Sequence, residues 1–161
     1  FGKKSSYKNY KRELDLNTAV VRVNYTQDGI DFKREIFTSY PDQVMVAKFT
    51  ANQKRKISFK VTMNRPERFK TYAKNNQLIM SGILSNGKGG DGLQYITRLK
   101  ASHKNGTLKY VGDQLIVENA DEVILYLSAS TDYVLQYPNY NGRDYVNITK
   151  QNIEKAFSKD Y

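Results

Sequence analysis

The residues Gly87-Lys88-Gly89-Gly90-Asp91-Gly92 satisfy the dinucleotide-binding pattern G-x-G-x-x-G letter for letter. That chemistry needs a strand before the glycines and a helix after them, so that backbone donors and the helix N-terminus meet a pyrophosphate. After these glycines, however, Leu93, Tyr95, Thr97 and Leu99 alternate with Gln94, Ile96, Arg98 and Lys100, the pattern of a strand. A strand-to-strand loop is therefore expected in place of a phosphate cradle. The single imidazole, His103, falls in the turn His103-Lys104-Asn105-Gly106, where an exposed, inert histidine is expected and Asn-Gly signals a hairpin. With no Cys, and no carboxylates at ligand spacing around His103, neither disulfides nor a metal site find support. No Ser/His/Asp set or paired acid stands out, so no catalytic, metal-binding or cofactor-binding residue is nominated and no cofactor is expected. One polar-aromatic group remains: Tyr133, Tyr137, Tyr140 and Asn141, in a loop with Pro138 and Gly142. Aromatic faces beside amides could stack on and hydrogen-bond a sugar ring, although the same composition makes an ordinary packed loop, which is the favoured reading.

The net charge of +10 permits binding to nucleic acid, an anionic membrane surface or an acidic glycan. The basic residues are nevertheless spread along the chain. Lys3-Lys4, Lys11-Arg12 and Lys54-Arg55-Lys56 are the dense spots, and the last reads as a solvated turn. No apolar run approaches the roughly 18–20 residues of a membrane-spanning helix. The chain opens on Phe1, and FGKKSS lacks the apolar core of a signal peptide, so it reads as a processed or excised piece of something longer.

The elements that must position these residues are mostly strands. At 161 residues, one domain is expected. The hydrophobic share of 39% includes 13 Tyr, so the core is expected to be thin or sheet-like. Residues 1–9 read as a basic terminal or edge segment. From Ala19 the side chains alternate, with Ala19, Val21, Val23 and Tyr25 opposite Arg22 and Asn24, Asp28-Gly29 supplies a turn, and Ile30, Phe32, Arg34 and Ile36 alternate in return. Tyr40-Pro41-Asp42 closes that hairpin, and a strand follows over 43–51. Ile57, Phe59, Val61 and Met63 make the cleanest one-sided strand. The stretch 67–76 reads as irregular, with a short strand starting at Leu78. Further strands are expected at 107–111, 114–117 and 122–130, the last apolar on both faces and so central. A helix capped by Thr149, with Ile148 and Ile153 as a hydrophobic staple, ends the chain and presents Ile153, Ala156, Phe157 and Tyr161. Nine or so strands and one helix give an all-β antiparallel sandwich over 10–146, with 147–161 as C-terminal helix and linker.

The segment YKRELDLNTA from Tyr10 to Ala19, then Tyr25, Asp28-Gly29, Arg34-Glu35, Phe37 and Ser39-Tyr40-Pro41-Asp42-Gln43-Val44, resembles the N-terminal domain of glycoside hydrolase family 95. Gly82, Ala120-Asp121 and Ser128-Ala129-Ser130-Thr131-Asp132-Tyr133 fall in the same order. Members of that family are inverting α-L-fucosidases, many acting on α-1,2-linked fucose and a few on α-L-galactose. The resemblance implies a supersandwich-like β domain whose helix begins a linker to a barrel of paired helices lying beyond Tyr161. The expected partners are that catalytic barrel and the fucosylated glycan it hydrolyses, in a secreted or periplasmic enzyme, with neither nucleic acid nor membrane involved. Nothing here nominates the acid and base that inversion places roughly 6.5–9.5 Å apart, so this chain alone is expected to be inactive. The resemblance also implies strands upstream of Phe1, hence open sheet edges through which copies could self-associate. Two rival readings are a stand-alone carbohydrate-binding module, resting on the Tyr-rich loop, and a polyanion or nucleic-acid binder, resting on the charge.

Overall fold

Two antiparallel sheets and one helix form three layers in a computed structural model that describes residues 6–159 and Tyr161. The expectations placed on Phe1 and on Lys3-Lys4 lie outside the described residues. In chain order the strands are β1 (Lys8–Asp15), β2 (Val20–Gln27), β3 (Ile30–Ser39), β4 (Val44–Ala51), β5 (Ile57–Thr62), β6 (Phe69–Lys74), β7 (Gln77–Ser85), β8 (Asp91–Lys104), β9 (Thr107–Val111), β10 (Gln114–Ala120) and β11 (Glu122–Thr131), followed by helix α1 (Tyr145–Phe157). The large sheet runs β1-β2-β3-β4-β11-β8-β7-β6 and the small one β5-β10-β9. This is the all-β fold with one C-terminal helix expected from the sequence.

Alternation decides which layer each side chain joins. Val123, Leu125 and Leu127 of β11 face the small sheet, while Ile124, Tyr126 and Ser128 face α1. β11 is accordingly central, paired with β4 on one side and β8 on the other. One core gathers Ile57, Leu78, Leu99, Leu115, Val117 and Val123 between the sheets. A second joins Val44, Val46, Ile124 and Tyr126 to Ile153 and Ala156 of α1. The hydrophobic effect thus acts on both faces of the middle strands, and the small sheet and helix are each held by one of them.

The turns explain how the chain moves between layers. Asp28 and Gly29 both take positive φ, 50° and 75°, as a two-residue hairpin turn requires, and set the register Gln27↔Ile30. Asn105-Gly106 looks locally the same, yet it makes no hairpin: β8 belongs to the large sheet and β9 to the small one. It is a corner. Gly106 lies so close to the backbone of Glu118 and Asn119 that a Cβ would come within 2.3 Å of the Glu118 oxygen. Asp121 ties this corner to two others. Its N–H donates to Lys104 O (2.8 Å), Oδ1 accepts from Arg55 N (2.7 Å), and Oδ2 accepts from Asn105 Nδ2 (2.7 Å). The Ala120-Asp121 pair therefore fastens the β4–β5, β8–β9 and β10–β11 connections at one end of the sandwich.

Several local expectations are corrected. The 67–76 stretch contains β6, an edge strand that pairs with β7 and reaches the small sheet through Ala73 N→Gly112 O (2.7 Å). His103 is exposed, but on β8, opposite Val123. The helix begins earlier than predicted: Asp144 is its N-cap, accepting from Asn147 N, and Thr149 is buried inside it. Tyr161 lies past the helix end, its ring 5.8 Å from that of Phe37. The helix C-terminus is anchored instead by Lys155 and Lys159, both paired with Asp42 at the β3–β4 corner.

Candidate functional site

The Tyr/Asn-rich loop is closed by its own backbone. Tyr133 and Asn141 form an isolated antiparallel bridge, Val134 N donates to Tyr140 O (3.2 Å), and Gly142 N and Arg143 N both donate to Asp132 O (2.9 and 3.0 Å). Tyr137 and Tyr140 meet edge-to-face at 6.3 Å. Tyr137 is 82% exposed, so it does not pack down as an ordinary packed loop requires, and Tyr133 and Tyr140 are partly exposed beside the exposed Asn141. The structure thus pairs Tyr137 with Tyr140 and Tyr133 with Asn141, in a loop that leads through Asp144 directly into α1.

The Gly87–Gly92 segment connects two paired strands, β7 and β8. Asn86 organises it: its Oδ1 accepts from Lys88 N (2.8 Å) and Gly90 N (3.0 Å). The Lys88 and Gly90 N–H groups are thus engaged within the loop, and a strand, not a helix N-terminus, follows.

A cleft of about 500 Å³ lies elsewhere, at a place sequence reasoning missed. Helix α1 packs on β4, β11 and β8 and reaches β7 through the Gln77–Glu154 hydrogen bond, which leaves a cleft between the helix and the outer strand β6, over the buried Gln77 and Ile79 of β7. Tyr72 of β6, Gln77, Ile79 and Ser81 of β7, and Ile96 and Arg98 of β8 make the floor; Tyr145, Asn147, Lys150 and Glu154 of α1 make one wall. Arg98 is only 9% exposed. Its Nε donates to Thr149 Oγ1 and its Nη1 to Gln77 Oε1, each at 3.2 Å. Gln77 Nε2 donates in turn to Glu154 Oε1 (2.8 Å), and Glu154 Oε2 takes Lys100 Nζ (2.6 Å). The carboxylate of this network is thus occupied by Lys100 and Gln77, and among the described residues Arg98 has no acidic partner. Burial disfavours its charged form, with only Tyr72 pulling the other way. Ile96 was the available signal: an apolar residue on the nominally polar side of β8 shows that this face is covered, and Arg98 stands next on that face.

Among the described residues, the acids perturbed by the fold all move downward. The Arg22 hydrogen bond, with help from Thr18 and Asn17, holds Asp15 at about 2. Lys159 lowers Asp42, and Asn105 and the Arg55 N–H lower Asp121. Burial pushes Glu35 and Glu122 up, but Lys33 with Arg22, and Lys48 with Lys104, outweigh it and leave both lowered. A general acid in glycoside hydrolysis needs the opposite shift; Asp15, Glu35, Asp42 and Glu122 are instead ion-pair partners, and Asp121 is a hydrogen-bond acceptor at a corner. Among the described residues no group of three or more His, Asp or Glu is placed to hold a metal, and no helix is long and apolar enough to cross a membrane.

Comparison with known proteins adds three findings. A family model described as glycosyl hydrolase family 65, N-terminal domain, matches residues 1–136. "Alpha-L-fucosidase 2" of Arabidopsis thaliana is 35% identical over 152 residues, an alignment covering 81% of this chain and 18% of that protein. A solved structure titled "Putative kojibiose phosphorylase from human microbiome" superposes with a TM-score of 0.61 at 13% identity, over 98% of this chain and 23% of its own, a likeness of fold. The chain therefore spans less than a quarter of the length of either protein. The family 95 assignment is overturned by the first of these findings. Its physical basis was scaffold residues: Ser39 and Asp42 bond each other at the β3–β4 corner, Asp121 clamps three corners, and Gly82 admits the Arg68 carbonyl. Such residues report how a sandwich is built, not which sugar a neighbouring domain cleaves.

Proposed function

Because the chain belongs to the family of glycosyl hydrolase family 65 N-terminal domains, matched over residues 1–136, we propose that it serves as the bracing β-sandwich of a longer glycoside hydrolase of α-L-fucosidase type. It is a carbohydrate-related, N-terminal type of domain with a non-catalytic look, and the observation that carries the proposal is that family match in a chain whose perturbed carboxylates are all lowered. The fucosidase element is supported by the 35%-identical plant relative, whose printed name is alpha-L-fucosidase. In this reading α1, clamped to Asp42 through Lys155 and Lys159, sets the angle at which a catalytic barrel would meet the sandwich.

The test is release of fucose from 2′-fucosyllactose. This polypeptide alone should release none, and a longer polypeptide that carries it should. Turnover by the isolated domain overturns the bracing role. Phosphorolysis of kojibiose by the longer protein, with fucosyllactose untouched, overturns the fucosidase assignment and leaves the bracing role standing.

A further inference from the structure

We infer that the cleft between α1 and strands β6 and β7 binds the carboxylate of a uronate residue in an acidic glycan, with Arg98 as the anchor. The inference rests on the carbohydrate-related character of the domain but not on its fucosidase assignment. A guanidinium taken out of water without a counter-ion is costly, and the neutral oxygens of Thr149 and Gln77 satisfy geometry without cancelling charge. They also hold the group still. With Nε and Nη1 engaged, the second terminal nitrogen has no partner among the described residues, in a side chain that lines the cleft. An anion reaching Arg98 would therefore meet a donor already oriented, on a side chain only 9% exposed, which is the preorganised arrangement that makes charge-assisted hydrogen bonds strong.

The surroundings favour a sugar as the bearer of that carboxylate. Lys74 and Lys150 stand exposed at the rim, adding positive potential on both sides. Tyr72, 39% exposed on the floor, offers a ring on which the apolar face of a pyranose can lie, and Asn147 supplies an amide for hydroxyls. The room, about 500 Å³, is within the roughly 300–1,000 Å³ typical of small-molecule sites. An acidic side chain from another polypeptide would satisfy Arg98 but would use neither the ring nor the space.

Titration calorimetry and amide-shift mapping on this polypeptide test the idea with four probes: a galacturonate trisaccharide, its neutral galactose counterpart, sodium acetate and a polyglutamate peptide. The galacturonate should bind, shifting amides of β6, β7 and the first turns of α1, and the neutral sugar should not. Because Arg98→Gln removes a buried group and could unfold the protein, the exposed double variant Lys74→Glu with Lys150→Glu and the floor variant Tyr72→Ala carry the test. Each should weaken galacturonate binding by about tenfold or more while the fold is retained. Equal binding of the neutral sugar, indifference to all three changes, or no binding at all overturns the inference. An equal response to acetate reduces the site to an adventitious ion only, and preference for polyglutamate makes it a protein-docking site; both overturn the sugar assignment. None of these failures bears on fucose release, so the two proposals fail separately.

Discussion

Replacing Ile153 with alanine tests whether α1 is part of the folded core or an attached linker. Ile153 is fully buried among Val44, Val46, Ile124 and Tyr126. Burial of such a side chain contributes about 1.5–3 kcal/mol, and truncation adds the cost of the cavity left behind, giving about 2–5 kcal/mol in comparable sites. The walls decide where in that range this site falls. Val44 and Val46 are on β4 and Ile124 and Tyr126 on β11, strands hydrogen-bonded on both sides in the middle of the large sheet, so they cannot move into the gap. A loss of about 3–4 kcal/mol is expected, a large part of the roughly 5–15 kcal/mol that holds a domain together. Urea unfolding followed by both far-UV circular dichroism and tyrosine fluorescence reads it, with the rim substitution Val146→Ala, expected within about 0.5 kcal/mol, as control. A loss below about 1 kcal/mol for Ile153→Ala, or a helix that melts before the sheets, refutes the claim that the two cores form one cooperative unit.

Asp15 is held at about 2, below its usual 3.8, so its contribution is complete above pH 4 and is lost as pH falls from about 4 towards 2. In acid denaturation, Asp15→Asn should lower stability at pH 6 and flatten this part of the profile. Gly82→Ala places a Cβ 2.0 Å from the Arg68 carbonyl oxygen and 2.7 Å from the Tyr95 hydroxyl, and should cost about 1–3 kcal/mol or more in urea melts. Asp121→Ala should lower the urea midpoint by releasing Arg55 and Asn105, whereas Asp113→Ala in the β9–β10 turn should not. Tyr137→Ala should leave thermal stability unchanged while removing an exposed ring; a lost midpoint would show that the loop packs after all.

How far the fold was legible depends on where its information sits. The alternation of β5 and the two apolar faces of β11 are local in sequence, and both were readable. β6 was not, because FKTYAK carries Phe69, Thr71 and Ala73 inward with Lys70, Tyr72 and Lys74 outward, a contrast too weak to announce an edge strand. Asn105-Gly106 fixed a chain reversal, but whether it joins two strands or two sheets depends on Glu118 and Asn119, far away in the chain. The helix start was misplaced because Thr149 has the chemistry of a cap, yet its hydroxyl is taken by Arg98. The cleft was invisible for the same reason: Tyr72, Arg98 and Lys150 meet only once β6, β8 and α1 are side by side.

The strand order has a consequence for how this protein is made. Among the described strands, β11 is the last to leave the ribosome, and it lies in the middle of the large sheet. Until it arrives, the facing edges of β4 and β8 are unpaired and the residues that will line both cores have no common wall. The pairing Phe49↔Val123 closes over a long stretch of chain, so the final insertion is entropically slow. A nascent chain of this protein carries two complementary open edges awaiting the same strand, and during that interval a chaperone, or another nascent copy, competes with β11 for them.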